Sequence, residues 1–311
     1  MTPPPDPATQ ESLKLLLLAI FALFVAGDIL ILALWLVGAV RGRPVLARTW
    51  SVSHLFLGIQ FVGAAVLGVG LVGTIVALVV NRGAISNFAE EYSPVGFYAV
   101  LLPAMMAQQV ALVAVPIALV YLLYRGNFAD LGIRGLDSRA WRRFGLGALI
   151  AVALLPVNDL VETLTTRLLL DPSRVPFTPL IRQLSEQASA IKLLAQIRTH
   201  PLALAWMVLI IGIIGPVAEE VFFRGLSYNI LKRRLGVPAG IVLSAIFFSA
   251  IHGNPLAFFP IVVMGVVLAW TYERTGSLAV PIGIHCANNL LVVALYLVAP
   301  DFSLWKWLFG R

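Results

Sequence analysis

Charge is what this chain has least of. Asp, Glu, Lys and Arg make up 12% of its residues, against about 25% in a soluble globular domain, and that shortfall excludes an ordinary water-soluble fold. A single cysteine, Cys286, excludes a disulfide within the chain. Histidine is scarce too, with 4 in 311 residues, so each one stands out. The N-terminal stretch 1–14 is Pro-rich, sets Asp6 and Glu11 against Lys14, and lacks the positive region of a secretory signal. It reads as a short disordered tail before a retained anchor helix, and neither end carries a lipidation motif.

What is present is apolar. Hydrophobic residues are 60% of the chain, and they gather in runs of membrane length. The expected fold is all-α: a polytopic membrane protein with about eight transmembrane helices. The runs are Leu15–Val40, Val52–Val80, Val95–Tyr124, Phe144–Leu170, Leu202–Leu235, Pro238–His252, Leu256–Tyr272 and Leu278–Ala299. The second places Ala64 and Gly68 at the small-xxx-small spacing that lets helices approach closely, and the third holds Pro103 and Pro116, which predict a kink. Between the fourth and fifth runs lies the one long polar connection, Asp171–His200, with an amphipathic helix expected over Leu180–Ile197. Three parts follow: the tail at 1–14, N-terminal helices and a basic loop at 15–143, and a membrane-embedded region at 144–311.

The net charge of +7 is gathered in short segments between these runs. Basic residues cluster after the first, third and fifth runs, so those loops are expected on the cytoplasmic face and the N-terminus on the other. Lipid headgroups suffice as the anionic partner, and no nucleic acid is expected.

The polar residues inside apolar runs carry the chemistry. Glu219, Glu220 and Arg224 fall within Leu202–Leu235, where an ionisable group costs about 2.5–3.5 kcal/mol on insertion scales and marks a functional site. On a helix Glu220 and Arg224 are i and i+4 and can pair, while Glu219 is turned about 100° away. The arginine can therefore neutralise one carboxylate and leave the other free. His252 ends the sixth run, and His285 and Asn289 lie one turn apart in the eighth. Measured from the basic end of each helix, Glu220 lies about 18 Å in, His252 about 21 Å and His285 about 16 Å. Residues distant in sequence thus meet at one depth. A carboxylate beside a histidine can deprotonate water, and a His and an Asn one turn apart can donate to an oxyanion. Alternatively, Glu219, His252 and His285 form a three-ligand set for Zn²⁺ with an open position for water. Either route hydrolyses an amide within the membrane.

Glu219-Glu220-x-x-x-Arg224, Phe248-x-x-x-His252 and His285-x-x-x-Asn289, in this order on successive apolar segments, resemble the three motifs of the CPBP family. That family includes the type II CAAX prenyl endopeptidases and bacterial Abi-type proteins. The resemblance covers about 202–297, and Asp130-Leu131-Gly132-Ile133-Arg134 is similar to a short loop that precedes the core in bacterial members. It implies an eight-helix membrane protease with the catalytic core in the last four helices, acting on membrane-bound peptides or prenylated CAAX-type proteins; compactness and short loops add the expectation of a bacterial plasma membrane. By motif position the resemblance implies that Glu219 is the catalytic glutamate and His252 its partner in activating water. His285 and Asn289 stabilise the oxyanion, and Arg224 holds the Glu pair. It leaves both a metalloprotease and a metal-independent glutamate mechanism open.

Blander readings exist for each group: a structural ion pair for Glu220 and Arg224, a helix-ending histidine for His252, and interhelical hydrogen bonds for His285 and Asn289. Two other functions compete, an ion-coupled transporter relaying protons through the Glu/Arg/His layer and a non-catalytic scaffold or immunity protein. Cys286 is expected to pack, Asp159 and Glu162 to sit at a solvated helix end, and His54 and His200 at span edges to need no role.

Overall fold

In the computed structural model the described residues are 50–80, 97–134, 137–173, 175, 177–188 and 190–299. The first apolar run, the N-terminal tail and the loop after the second run lie outside them. Every regular element among them is helical. Helix α1 is Val52–Val80. Helix α2, Leu102–Ala118, is flanked by π-helical turns at Phe97–Leu101 and Leu119–Leu123. Helix α3 is Ser138–Leu169, followed by the short α4, Thr178–Gln187, and α5, Ala190–Ile197. Helix α6 runs over Pro201–Leu235, α7 over Val237–Ala250, α8 over Phe258–Thr275 and α9 over Ala279–Val298.

Five of these helices are long and apolar enough to cross a bilayer, namely α1, α2, α3, α6 and α9. The expected count of eight is therefore not reached among the described residues. Helix α7 has 14 residues, about 21 Å of rise against a hydrocarbon core of about 30 Å. Helix α8 has 18 but ends in Thr271-Tyr272-Glu273-Arg274-Thr275.

Two boundaries differ from expectation for identifiable reasons. Helix α3 begins at Ser138 rather than Phe144, because the Asp137 carboxylate accepts the Ala140 N–H at 2.8 Å and caps the first turn. That same N–H holds the Asp137 carboxyl below its usual range. The arginines at 139, 142 and 143 are thus helical, not part of a loop. The single amphipathic helix expected over Leu180–Ile197 is two helices, Thr178–Gln187 and Ala190–Ile197.

The helices that carry the site are held at backbone distance. A Cβ on Gly147 of α3 would lie 2.3 Å from the Val280 carbonyl oxygen, and one on Gly283 of α9 would lie 2.2 Å from that of Phe144. Only glycine at both positions lets these two helices meet so closely. The loop Asp130–Arg134 is packed into the bundle: Leu131 is fully buried against Gly225 of α6, and the Leu278 N–H donates to the Gly132 carbonyl at 3.1 Å. Gly132 takes φ +76° beneath the Tyr272 ring, a conformation and a contact that a side chain would oppose. Around this frame Phe222, Phe223, Leu226, Phe248 and Ile284 build the main apolar core.

Candidate active site

Helix α6 changes register twice. It is π-helical at Ile210–Ile214, α-helical at Gly215–Glu220 and π-helical again at Val221–Tyr228. In the first π-turn the Gly215 N–H reaches back five residues to the Ile210 carbonyl. A Cβ at Gly215 would stand 2.8 Å from that oxygen, so glycine is what admits the bulge. Each π-turn leaves carbonyls in need of donors, and two asparagine side chains supply them. Asn289 Nδ2 donates to Ile211 O at 2.9 Å, and Asn229 Nδ2 donates to Gly225 O at 2.8 Å and to Arg224 O at 3.3 Å. Glu219 and Glu220 stand on the α-helical step between the two turns. Further along α6, Tyr228 and Lys232 tie the helix to Glu273 of α8 at 2.8 and 2.5 Å.

Glu220 is fully buried, and its Oε1 accepts from Arg224 Nη1 at 2.7 Å and from His285 Nδ1 at 2.9 Å. The guanidinium lies over the Phe248 ring, with Cζ 4.4 Å from its centroid, and Nη2 donates to Gly265 O at 3.5 Å. A buried charge pair depends on such partners, and here Glu220 Oε2 and Arg224 Nε stay buried without one. Glu219 is turned out of that pair. Its side chain is 18% exposed, and its Oε2 lies 3.7 Å from His285 Nε2. The two nitrogens of His285 therefore face two different carboxylates.

His252 follows the end of α7, and its Nδ1 bonds the Phe248 carbonyl at 2.7 Å. A carbonyl only accepts, so Nδ1 carries the proton and the Nε2 lone pair is open. Its ring meets the edge of Phe248 at 4.8 Å, and Phe248 meets His285 at 5.6 Å. His252 thus joins the cluster through an aromatic ring and makes no hydrogen bond or ion pair with either glutamate. Phe248 is the hub that touches Arg224, His252 and His285. Sequence reasoning placed it in a motif without giving it a role.

Two more asparagines belong here: Asn288, which was given no role from sequence, and Asn158, read only as part of a polar second half of the fourth run, interfacial or lining a cavity. Asn158 of α3 donates through Nδ2 to Asn288 Oδ1 of α9 at 3.2 Å, one helical turn from His285. Asparagines inside apolar runs were the available signal. His54, set aside as an edge residue, is buried, and its Nδ1 bonds the Tyr124 hydroxyl at 2.7 Å. Cys286 is buried with its thiol 4.0 Å from Ile213 O.

Both site histidines have Nδ1 bound to an acceptor, the arrangement that leaves Nε2 for a metal. Even so, among the described residues no three His, Cys, Asp or Glu side chains gather closely enough to hold an ion. As placed, Glu219, His252 and His285 do not form a ligand set. An apolar groove of about 860 Å³ lies between α2 with its following turn and α6, lined by Val110, Val113, Ile117 and Tyr121 on one side and by Val217 and Ala218, the two residues before Glu219, on the other.

An apolar helical bundle that buries Arg224, Glu220 and His285 together, with Glu219 at the edge of the cluster, defines a multi-pass membrane protein with a polar centre. Residues 201–291 match the family model described as type II CAAX prenyl endopeptidase, Rce1-like, the same segment that holds the three motifs. The chain is 30% identical over 95 residues to the protein named "Putative membrane peptidase YdiL" of Bacillus subtilis (strain 168). It is 36% identical over 98 residues to the membrane-embedded CAAX protease MroQ of Staphylococcus aureus (strain USA300). These matches take in 30% and 29% of this chain and 39% of each relative, so the chain spans about two fifths of their length. No solved structure matches it.

Proposed function

We propose that this chain is a membrane-embedded endopeptidase, in which Glu219 activates a water to cleave a peptide bond of a membrane-associated or prenylated, CAAX-type substrate. One observation carries the reading: Arg224 and His285 both engage Glu220, which leaves Glu219 as the carboxylate free to act. A structural ion pair needs one glutamate, and a second ionisable group at this depth has no packing purpose. The apolar groove beside Val217 and Ala218 suits the alkyl or isoprenoid part of a lipid-bearing substrate. The relatives' names point the same way.

A water in contact with Glu219 Oε2 and His285 Nε2 gives its proton to Glu219 as its oxygen attacks the scissile carbonyl carbon. The carbonyl becomes a tetrahedral oxyanion, and the amide N–H of Asn289 not used on Ile211 is a donor for it. Glu219 then passes the proton to the leaving nitrogen, and the C–N bond breaks to give a carboxylic acid and an amine. Glu220, neutralised by Arg224, fixes the His285 ring through Nδ1. His252, by its motif position, is assigned to assist Glu219 in activating the water, and its ring packs on the edge of Phe248. These steps use water and protein groups alone. We place the protein in a bacterial plasma membrane, with its N-terminus on the non-cytoplasmic side.

The test is proteolysis of a panel of prenylated and unprenylated membrane peptides by purified protein. Wild type runs beside Glu219→Ala and His252→Ala, each with and without a chelator. Glu219→Ala is expected to lose cleavage to background and His252→Ala to lose at least ~100-fold, the scale of a lost acid–base group. Cleavage that survives Glu219→Ala removes the glutamate mechanism, and chelator-sensitive cleavage assigns a metal that the steps above omit. A wild type that cleaves nothing while catalysing Glu219-dependent proton-coupled uptake replaces the protease with a carrier.

A further inference from the structure

Three asparagine side chains form a chain with a forced direction. It begins at Ile211 O, a backbone carbonyl freed by the first π-turn, which can only accept. Asn289 must therefore present its NH₂ group there, as it does at 2.9 Å. With its nitrogen so committed, Asn289 turns Oδ1 towards Asn288, whose Nδ2 stands 3.4 Å away, the longest link of the three. That turns Asn288 Oδ1 towards Asn158, whose Nδ2 donates at 3.2 Å. Amide oxygen and nitrogen are ordinarily hard to tell apart, but here the carbonyl at one end sets every orientation in turn. The far end agrees: Asn158 Oδ1 is buried and has no partner, as expected where a run of donors all points one way and its last acceptor is left over.

Asn158 sits on α3 and the other two on α9, the pair of helices locked together by Gly147 and Gly283. His285 lies on the same side of α9 as Asn288 and Asn289, at i+3 and i+4. The relay thus ends on the same helical turns as the group that faces Glu219.

We propose that Asn158 and Asn288 are positioning residues that hold the Asn289 amide in one orientation, keeping its second N–H aimed at the developing oxyanion. The inference rests on the peptidase reading above and adds residues to that same site. Without the relay the Ile211 carbonyl alone holds the Asn289 amide, so a flip gives up fewer hydrogen bonds, and the flipped amide offers an oxygen where the reaction needs a donor.

Asp is nearly isosteric with Asn but has no NH₂ group to give. Where its carboxyl is ionised, Asn158→Asp sets two acceptors against each other at Asn288 Oδ1, which favours reversal of the whole chain against Ile211 O, whereas a protonated carboxyl donates and keeps the chain. Asn158→Leu removes the donor without imposing the wrong polarity. If Asn158 serves only packing, the isosteric Asp is the milder change. The relay requires the opposite order. At neutral pH kcat is expected to fall ~100-fold in Asn158→Asp, the scale of losing one oxyanion donor, and ~10-fold in Asn158→Leu. KM should stay within ~2-fold in both, because the interaction is made in the transition state.

The measurements are kcat and KM on a membrane peptide that wild type cleaves, with the thermal midpoint of each variant as a check on folding. Asn288→Asp against Asn288→Leu repeats the comparison should an Asn158 variant fail to fold. Leu at or below Asp in kcat at both positions, or a loss carried by KM, overturns the relay while leaving the peptidase standing. A wild type that cleaves no peptide overturns the peptidase reading, and the relay with it.

Discussion

Helices α1 and α6 are both apolar enough to cross a bilayer, yet 11% of the most apolar window of α1 is buried against 39% of that of α6. Apart from Gly58 of α1, where a Cβ would meet Val115 and Phe222, their glycines show the same contrast. A Cβ on Gly63, Gly68 or Gly70 of α1 would meet nothing within 4 Å, whereas one on Gly212, Gly215 or Gly225 of α6 would meet Leu290, Ile210 O or Leu131. The small-xxx-small pair Ala64 and Gly68 led to an expectation of close helix approach, and both are exposed among the described residues. Small residues permit a close contact without creating one. Helix α6 gathers neighbours because its charges and its two π-turns leave groups that must be satisfied inside the bundle: Arg224 by Glu220 and Gly265, Ile211 by Asn289, Gly225 by Asn229. In α1 the buried His54 is met by Tyr124 near the start of the helix, while the stretch around Ala64 and Gly68 is exposed.

The contrast breaks first at the charge pair. Arg224→Met leaves Glu220 buried without its cation, and losing one partner of such a pair costs about 3–5 kcal/mol. The expected outcome is a large fall in the thermal unfolding midpoint in detergent, with little folded protein recovered. Arg224→Met combined with Glu220→Leu should recover most of that stability, since replacing both partners with apolar groups is close to neutral. Peptide cleavage should stay low in the double variant, because His285 then lacks its acceptor at Nδ1. A single variant as stable as wild type would show that α6 packs for some other reason.

A smaller effect is expected at the α3–α9 contact. Gly283→Ala sets a methyl group against the Phe144 carbonyl, where backbone must move, at a cost of about 1–3 kcal/mol. His285 lies two residues further along α9, so cleavage should fall more steeply than stability. Thermal midpoints and kcat measured on the same preparation check this. A loss of stability with kcat unchanged would separate the glycine contact from the site.

Much of this contrast was legible in the sequence, and the reasons are physical. Glu219, Glu220, Arg224, His285 and Asn289 stood out because a charged or amide side chain in an apolar run needs a partner, and i, i+4 spacing shows which two can meet on one helix. The limits of α1 were legible because an apolar run ends where polar residues begin. Nothing in residue type marks a change from i→i+4 to i→i+5 bonding, so the π-turns of α6 were invisible, and with them the backbone acceptor that claims one donor of Asn289. The cap at Asp137 was readable in principle, but three nearby arginines suggested a loop, because a count of charges says nothing of where a turn is capped. His54 was misjudged for a related reason: burial at a span edge depends on a residue such as Tyr124, which is distant in sequence.

The smallest expected effect tests the other half of the comparison. Gly68→Ala adds a methyl group where no atom lies within 4 Å, so no contact is lost and none is strained. Alanine also favours a helix over glycine, by up to about 1 kcal/mol in water, and substitutions away from packed features stay within about 0.5 kcal/mol. The thermal midpoint should therefore hold or rise slightly, and cleavage should not change. A clear drop in either would mean that the Ala64–Gly68 face is covered in the membrane by a second copy or by another segment of this chain. In that case the small-residue spacing would mark a real interface, and the difference between α1 and α6 would lie in what each helix packs against rather than in whether it packs.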